Sequence, residues 1–398
     1  MTLSSEEHMS VTNEAALVRR ITGTRFPAPD NRTAGRRNRI TAYAADVLRR
    51  AEPTPVVDVG AVVGGRTRVI SLKLDGCSRW GSIKGRTALA LLASIADRVD
   101  ARSTVVESTS GNLGVALAGI CRDLGIAFTA VVDSRLPPAM AVRLAEYGAR
   151  IVEVERSDDG RHLQRRLARV QEILRGDPHA LWTNQYENPA SVAVHRWWTG
   201  PELGRQVRPD LQAMFAPVST GGSFAGLSAF LAQHRPQVAC TAVDVRGSTI
   251  FGGPAGNRLL TGIGASKPSA FLGGPARPPH VMVADVDAIA VCRTLARDAG
   301  ISVGGSSGAT IAGCLRVLGE RPDLTRVLCL CPDMASNYAE TLYDDAWLCR
   351  AGARSALDRP SVGGREVHFA EKPGLEDPGD EAGSHEIDSL RGWTAGRN

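Results

Sequence analysis

Between about residues 45 and 350 the apolar positions alternate between two habits: short unbroken runs, and runs spaced three and four apart. The unbroken runs predict strands at 103–106, 126–132, 151–154, 180–183, 213–218, 238–245, 281–283 and 327–330. The spaced runs predict helices at 113–124, 138–147, 162–174, 224–232, 287–299 and 307–318. Apolar strands alternating with helices predict an α/β fold with mostly parallel sheets flanked by helices. The alternation comes in two series, which predicts two lobes, and ligands in such folds sit beyond the C-terminal ends of the strands. Residues 1–44 read as an N-terminal extension. Residues 351–398 hold six basic and nine acidic side chains with little apolar period, and read as a disordered tail.

Composition narrows the class. With 398 residues, 43% of them hydrophobic and 22% charged, the chain can build two cored lobes. The net charge of +5 is carried mostly by arginine, and no basic segment is interleaved with stacking aromatics, which argues against nucleic-acid binding. The densest basic stretch (Arg32, Arg36, Arg37 and Arg39) reads as a solvated arm. No run approaches the roughly 20 apolar residues of a membrane span. Glu6, Glu7 and His8 stand where a secretory signal would begin, so a cytoplasmic protein is expected. The eight cysteines lack a C-x-x-C pair and sit mostly in apolar runs, which suits small core residues in a reducing compartment. No His, Asp and Glu cluster has metal-ligand spacing, so no metal is expected.

Three glycine-containing loops each join a strand to a helix. They are Glu107-Ser-Thr-Ser-Gly-Asn112-Leu-Gly114, Pro217-Val-Ser219-Thr-Gly-Gly-Ser223 and Val303-Gly-Gly-Ser306-Ser-Gly-Ala309. Unsatisfied N–H groups at a helix start favour a carboxylate or a phosphate. The second loop, with two glycines among hydroxyls, suits a monophosphate. No lysine follows the glycines as in a P-loop, and no G-x-G-x-x-G follows a strand. The fourth element is Trp80-Gly-Ser82-Ile-Lys84-Gly-Arg86, in a chain with four lysines. Taken alone, Lys84 reads as a surface lysine at a helix start; in a secluded site its amine becomes a nucleophile for carbonyls.

In this order, over roughly residues 50–350, these pieces resemble the cysteine synthase-like group of fold-type II pyridoxal-phosphate (PLP) enzymes, the tryptophan synthase β family. The resemblance implies a two-lobed catalytic core over 45–350, with a smaller lobe at about 78–188 and a larger one from 45–77 plus 189–350. It implies that Lys84 carries the cofactor covalently and that Asn112 bonds the pyridine 3′-oxygen. Thr109 and Ser110 inherit the grip on the substrate carboxylate, assisted by Gln185. Ser219, Thr220, Gly221, Gly222 and Ser223 match the phosphate cradle, and Ser306 matches the serine that faces the pyridine nitrogen. A neutral hydroxyl there leaves the ring a weaker electron sink, which suits β-elimination. Two departures stand near Lys84: Ser78-Arg79-Trp80 replaces the usual Asn-Pro, and Gly85 replaces an Asp. The loop Pro332-Asp-Met-Ala-Ser-Asn-Tyr338 also lacks the acidic-basic pair common in the group.

Asn184-Gln185-Tyr186 and residues 242–252 resemble the branch of the family that joins O-phospho-L-serine to L-glutamate, which serves 2,3-diaminopropionate formation in siderophore and antibiotic pathways. The resemblance thus implies a β-replacement on small amino-acid substrates by a homodimer, with Tyr186 and the Ser219 loop favouring this pair. A cysteine synthase using sulfide with O-acetylserine or O-phosphoserine is the neighbouring reading. A non-catalytic binding protein of the same fold is the reading of another class, and the retention of Lys84, Asn112 and Ser306 counts against it. Arg166 shares a basic helix face with Arg161, Arg165 and Arg169 and reads as a solvated surface residue, with contact to an anionic group as the alternative. His195, Trp197 and Trp198 read as packing residues.

Overall fold

A computed structural model describes residues 14–22, 34–63, 65–109, 111–155, 162–273, 277–362 and 365–370. The chain begins with α1 (Glu14–Thr22) and α2 (Ala34–Arg50), followed by the hairpin of β1 (Val56–Val63) and β2 (Arg66–Leu74). Then α3 (Lys84–Ser94) opens the first alternating series: β3 (Thr104–Ser108), α4 (Asn112–Leu124), β4 (Ala127–Val132), α5 (Pro138–Glu146), β5 (Arg150–Glu153), α6 (His162–Gly176) and β6 (Ala180–Trp182). Next come α7 (Ala190–Val194), a π-helical turn at His195–Thr199 and α8 (Gly200–Gln206). The second series holds β7 (Ala213–Pro217), α9 (Gly222–His234), β8 (Ala239–Val245), β9 (His280–Val283), α10 (Asp285–Ala299), α11 (Gly305–Glu320) and β10 (Arg326–Cys331), with α12 (Asp345–Arg350) after it.

The first series makes a four-stranded parallel sheet in the order β5-β4-β3-β6. In the second, β2, β10, β7, β8 and β9 run parallel as neighbours. Helices cover both sheets, which is why strands such as β10 are apolar at successive positions: Val327, Leu328, Cys329, Leu330 and Cys331 are all buried. Burying each such side chain contributes about 1.5–3 kcal/mol. Parallel strands deliver their C-terminal ends to one edge, so the loops after β3, β4, β7 and β10 converge.

Three sequence expectations change here. The basic stretch 32–39 is not a solvated arm: from 34 it belongs to α2, which buries Ile40, Ala44, Val47 and Leu48, and Arg37 is buried beside them while Arg39 is exposed. The helical spacing is present, but the interleaved arginines mask it. Arg32 lies outside the described residues. The hairpin of β1 and β2 was not anticipated, because polar side chains interrupt its apolar alternation. The tail expected to be disordered from 351 is ordered over the described residues 351–362 and 365–370. Ala353, Ala356, Val367 and Phe369 are buried, and β11 (Ser361–Val362) pairs with β12 (Arg365–Glu366). Beyond them β13 (His368–Ala370) pairs antiparallel with β1, so the larger sheet has seven strands. An edge strand of three residues is too short to show a period, and the open edge of β1 supplies its partner. Residues 371–398 lie outside the described residues.

Candidate active site

One cavity at the converging strand ends is lined by Lys84, Thr109, Asn112, Gln185 and Tyr186 from the first series, and by Ser219, Thr220 and Ser306 from the second. Gly221, Gly222 and Ser223 form the turn into α9 directly behind Thr220. Ser110 lies outside the described residues.

Lys84 is the first residue of α3. The chain reaches it through a left-handed Gly81 and is pinned to the end of β10, where Ile83 N donates to Pro332 O at 2.8 Å and Ser82 bridges Asp333. Loss of hydration lowers the Lys84 ammonium to about 8, so a usable fraction of free amine exists near neutral pH. The two departures beside it fit each other. A Cβ at position 85 would stand 2.4 Å from Trp80 Cε3, so the indole at position 80 requires a glycine at 85.

Asn112 opens α4, and its Nδ2 donates to Asp333 Oδ2 at 2.7 Å. The hydroxyl of Tyr338 donates to the same oxygen at 2.6 Å, and Ser307 Oγ in the first turn of α11 donates to the backbone carbonyl of Asp333 at 3.3 Å. Burial raises the Asp333 carboxyl above its ordinary value, against the pull of the Tyr338 and Asn112 donors. Thr109 Oγ1 accepts from Gly111 N at 3.2 Å and Gly114 N at 3.0 Å, so its hydroxyl shapes the loop from within.

Gln185 and Tyr186 owe their place to Asn184, which turns the chain after β6 with a left-handed φ of 51°. Gln185 Nε2 donates to Ser108 O at 2.8 Å, and the Tyr186 hydroxyl lies 3.1 Å from Ser108 Oγ. Beneath them Glu107 accepts from Trp182 Nε1 at 3.0 Å, Gln185 N at 3.2 Å and the hydroxyl of Thr183. Desolvation lifts its carboxyl to about 6 despite these bonds.

The Ser219–Ser223 turn is tight. Gly221 has φ 93°, and a Cβ there would meet Ser269 Oγ at 2.4 Å. The buried His195 supports it from behind: its Nε2 faces Thr87 Oγ1 at 3.0 Å and Ser223 Oγ at 3.2 Å, and its Nδ1 faces Thr199 Oγ1 at 3.0 Å. Burial, with the Lys84 and Arg86 cations, holds His195 well below its ordinary value, so it is neutral.

Sequence reasoning gave Arg166 the contact to an anion only as the alternative to a surface place, and it missed Arg135 and Arg258. Arg166 is 4% exposed and lines the cavity, so it is not the solvated surface residue expected. Its Nε lies 3.0 Å from Asp133 Oδ2, while its Nη1 is buried without a hydrogen-bond partner among the described residues. Arg135 Nε donates to Asp133 Oδ1 at 3.2 Å. Burial pulls the Asp133 carboxyl up, and the Arg166 and Arg135 cations outweigh it, leaving the acid below its ordinary value. Arg258, on the segment between β8 and β9, completes the cationic wall. The clue available in the sequence was Asp133, an acid at the end of an apolar strand where a buried cation is the natural partner.

This architecture and cavity define a class: the chain belongs to the family described as pyridoxal-phosphate dependent enzyme, whose model matches residues 29–333. Its cofactor is pyridoxal phosphate. Among named relatives, it is 36% identical over 327 residues to the N-(2-amino-2-carboxyethyl)-L-glutamate synthase of Ralstonia nicotianae, covering 81% of this chain and 96% of that protein. The protein of the same name from Cupriavidus metallidurans is 36% identical over 310 residues, covering 76% and 91%. Among solved structures, O-ureido-L-serine synthase matches with a TM-score of 0.66 and 26% identity, covering 75% of this chain and 96% of that one. The O-acetylserine dependent cystathionine beta-synthase of Helicobacter pylori matches in fold, with a TM-score of 0.67 and 24% identity over 73% and 95%.

Proposed function

We propose that this chain joins O-phospho-L-serine to L-glutamate by β-replacement, giving N-(2-amino-2-carboxyethyl)-L-glutamate. The observation that carries this reading is the charge of the cavity. Lys84, Arg135, Arg166 and Arg258 line it, and no carboxylate is among its described lining residues. A buried guanidinium nitrogen without a partner costs about 1–3 kcal/mol or more, a cost an anionic substrate removes. Phosphoserine brings a phosphate and a carboxylate, and glutamate brings two carboxylates. Sulfide would need none of these three guanidinia. The named relatives at 36% identity point the same way.

The residues suit the cofactor. The desolvated amine of Lys84 would hold its aldehyde carbon, the turn from Ser219 to Ser223 its phosphate, and Asn112 and Ser306 its ring. When bound, the cofactor supplies an electron sink for loss of the α-proton and the β-substituent. Lys84 Nζ takes the proton from Cα of phosphoserine, a role its lowered pKa allows near neutral pH. The α-carboxylate lies at the start of α4, where leading N–H groups favour an anion. Gln185 and Tyr186 wall the substrate on the β6 side. Arg166 Nη1 holds the phosphate and stays with it as the C–O bond breaks and the glutamate amine forms the new C–N bond. Two lobes, a homodimer and a cytoplasmic setting belong to this reading through the family resemblance.

The test is to supply the cofactor-loaded protein with phosphoserine and glutamate, then with phosphoserine and sulfide, and to identify products by mass. A glutamate adduct with stoichiometric phosphate release is expected. Phosphate release with sulfide alone would replace this reading with a cysteine synthase. A protein that takes up no cofactor and releases no phosphate would be a binding protein instead.

A further inference from the structure

Arg258 lines the cavity from the segment between β8 and β9 with a guanidinium nitrogen left unpaired. Its Nη1 is buried without a hydrogen-bond partner among the described residues. Asp244 and Asp285 act on it through space without a hydrogen bond: Asp244 Oδ1 accepts from Val245 N at 2.8 Å and Asp285 Oδ2 accepts from Leu259 N at 2.5 Å, while the second oxygen of each is buried without a partner among the described residues. The other group acting on it is a like charge, Arg135, which comes from the loop after β4 on the smaller sheet. The Nε and Nη2 atoms of Arg135 are directed to Asp133. Burial and this neighbour both lower the Arg258 guanidinium below its ordinary value, which is the mark of a cation placed against its own interest.

The loop cannot easily relieve the strain by moving. Gly264 N donates to Val218 O at 2.8 Å, and Ser219 Oγ donates to Gly264 O at 3.2 Å. Gln164 Nε2 of α6 donates to Ser266 O at 2.8 Å, tying the loop to the first series. Arg258 and Arg135 therefore present guanidinium groups from the two sheets to one cavity, and an anion between them would give Arg258 Nη1 the partner it lacks beside a second cation. Depth separates this pair from Arg166. Arg166 is 4% exposed, while the Arg135 side chain is 29% exposed and Arg258 is half-buried, so the pair is nearer solvent as whole residues although Arg258 Nη1 is buried.

We propose that Arg258, with Arg135 opposite it, receives a carboxylate of the second amino acid, as a site separate from the phosphate position at Arg166. The inference rests on the function proposed above, and it defines the nucleophile class as an amine that also carries an acidic side chain. Neutral amines of the same length lack the group that Arg258 waits for.

The experiment uses the cofactor-loaded full chain and Arg258→Gln, with phosphate release followed at varied phosphoserine and varied glutamate. The variant should raise the glutamate KM by roughly 10- to 100-fold, the size of losing one hydrogen bond to a charged group, and leave the phosphoserine KM within about twofold. It should also erase the preference of the wild type for glutamate over glutamine. Should Arg258→Gln fail to fold, Arg258→Lys and Arg135→Gln carry the same measurement. A raised phosphoserine KM with an unchanged glutamate KM would overturn the assignment. Glutarate inhibition, read with either nucleophile, separates the two levels of the argument. A wild type that never uses glutamate defeats the functional reading. Even then a weaker glutarate Ki in Arg258→Gln supports the carboxylate site, and an unchanged Ki overturns it.

Discussion

Asn112 Nδ2 donates to Asp333 Oδ2 at 2.7 Å across 221 residues of sequence. The bond joins the loop after β3 to the loop after β10, so the two sheets meet at a side chain of the cavity wall. The same carboxylate takes the Tyr338 hydroxyl, and its backbone carbonyl accepts from Gly304 N at 3.1 Å. Asp333 is thus the buried knot that ties Asn112 to the start of α11, where Ser306 lies.

Cutting that knot should cost stability. Asp333→Ala strands the Asn112 amide and the Tyr338 hydroxyl, at about 1–3 kcal/mol for each unsatisfied group. The urea midpoint should fall accordingly, and Asp333→Asn, which keeps an acceptor, should recover most of the loss. An unchanged midpoint in the Ala variant would rule the knot out.

Arg166→Met should weaken use of phosphoserine far more than use of a neutral-leaving-group analogue such as O-acetylserine. Asp133 keeps Arg135 as partner, so the fold survives. Removing one partner of a buried charge pair costs about 2–5 kcal/mol, hence a fall of at least ~30-fold in kcat/KM for phosphoserine. Equal losses with both substrates would make Arg166 a structural residue.

Lys84 sets a pH signature. Cofactor capture by the cofactor-free protein needs the free amine, so its rate should climb as pH rises through about 8 and level off above. The folded value lies below the ordinary 10.5, so between the two the unfolded chain binds more protons and stability from this group rises with pH. Lys84→Met should abolish both the rate profile, read by visible absorbance, and that rise in the urea midpoint.

The acid limb of stability should trace to Glu202. It accepts from Lys73 Nζ and from Arg86 Nη1 at 2.7 Å, in a buried group with Asp75. Burial pulls its carboxyl up, and the Arg86 and Lys73 cations outweigh this and hold it at about 2, against an ordinary 4.5. Its contribution is complete above pH 4.5 and is lost as pH falls towards 2, a window worth about 3 kcal/mol. Glu202→Gln should destabilise by about 3–5 kcal/mol at pH 7 and flatten that limb in denaturation curves at pH 7, 4 and 3.

Gly85 and Trp80 should behave as a coupled pair. Helix propensity alone favours Gly85→Ala by about 1 kcal/mol. The 2.4 Å approach to the indole reverses the sign, so the single variant should be destabilised. In a Trp80→Gly background the same substitution should stabilise. A double-mutant cycle on thermal midpoints reads the coupling, and strict additivity would sink it.

The alternation of apolar runs with helical spacing was enough to predict the α/β class, because periods of 2 and 3.6 are written locally. The three glycine loops and Lys84 were legible for the same reason: a left-handed turn such as Gly221 or a helix start such as Asn112 needs particular residues in place. Their order along the chain did the rest, since no one loop is distinctive. Packing between distant segments was not legible. Nothing near Arg166 in sequence reveals that α6 turns it inward onto Asp133, and an arginine among arginines reads as surface until its partner is seen. His368–Ala370 has too few apolar residues to declare itself a strand, and only the open edge of β1 makes it one. Asp333 meets Asn112 only because two sheets, the smaller built from a stretch of chain that lies between the strands of the larger, bring their strand ends together. Local sequence therefore determined which residues could carry the chemistry. The tertiary structure decided which charges they face, because burial and long-range pairing depend on the whole packed chain.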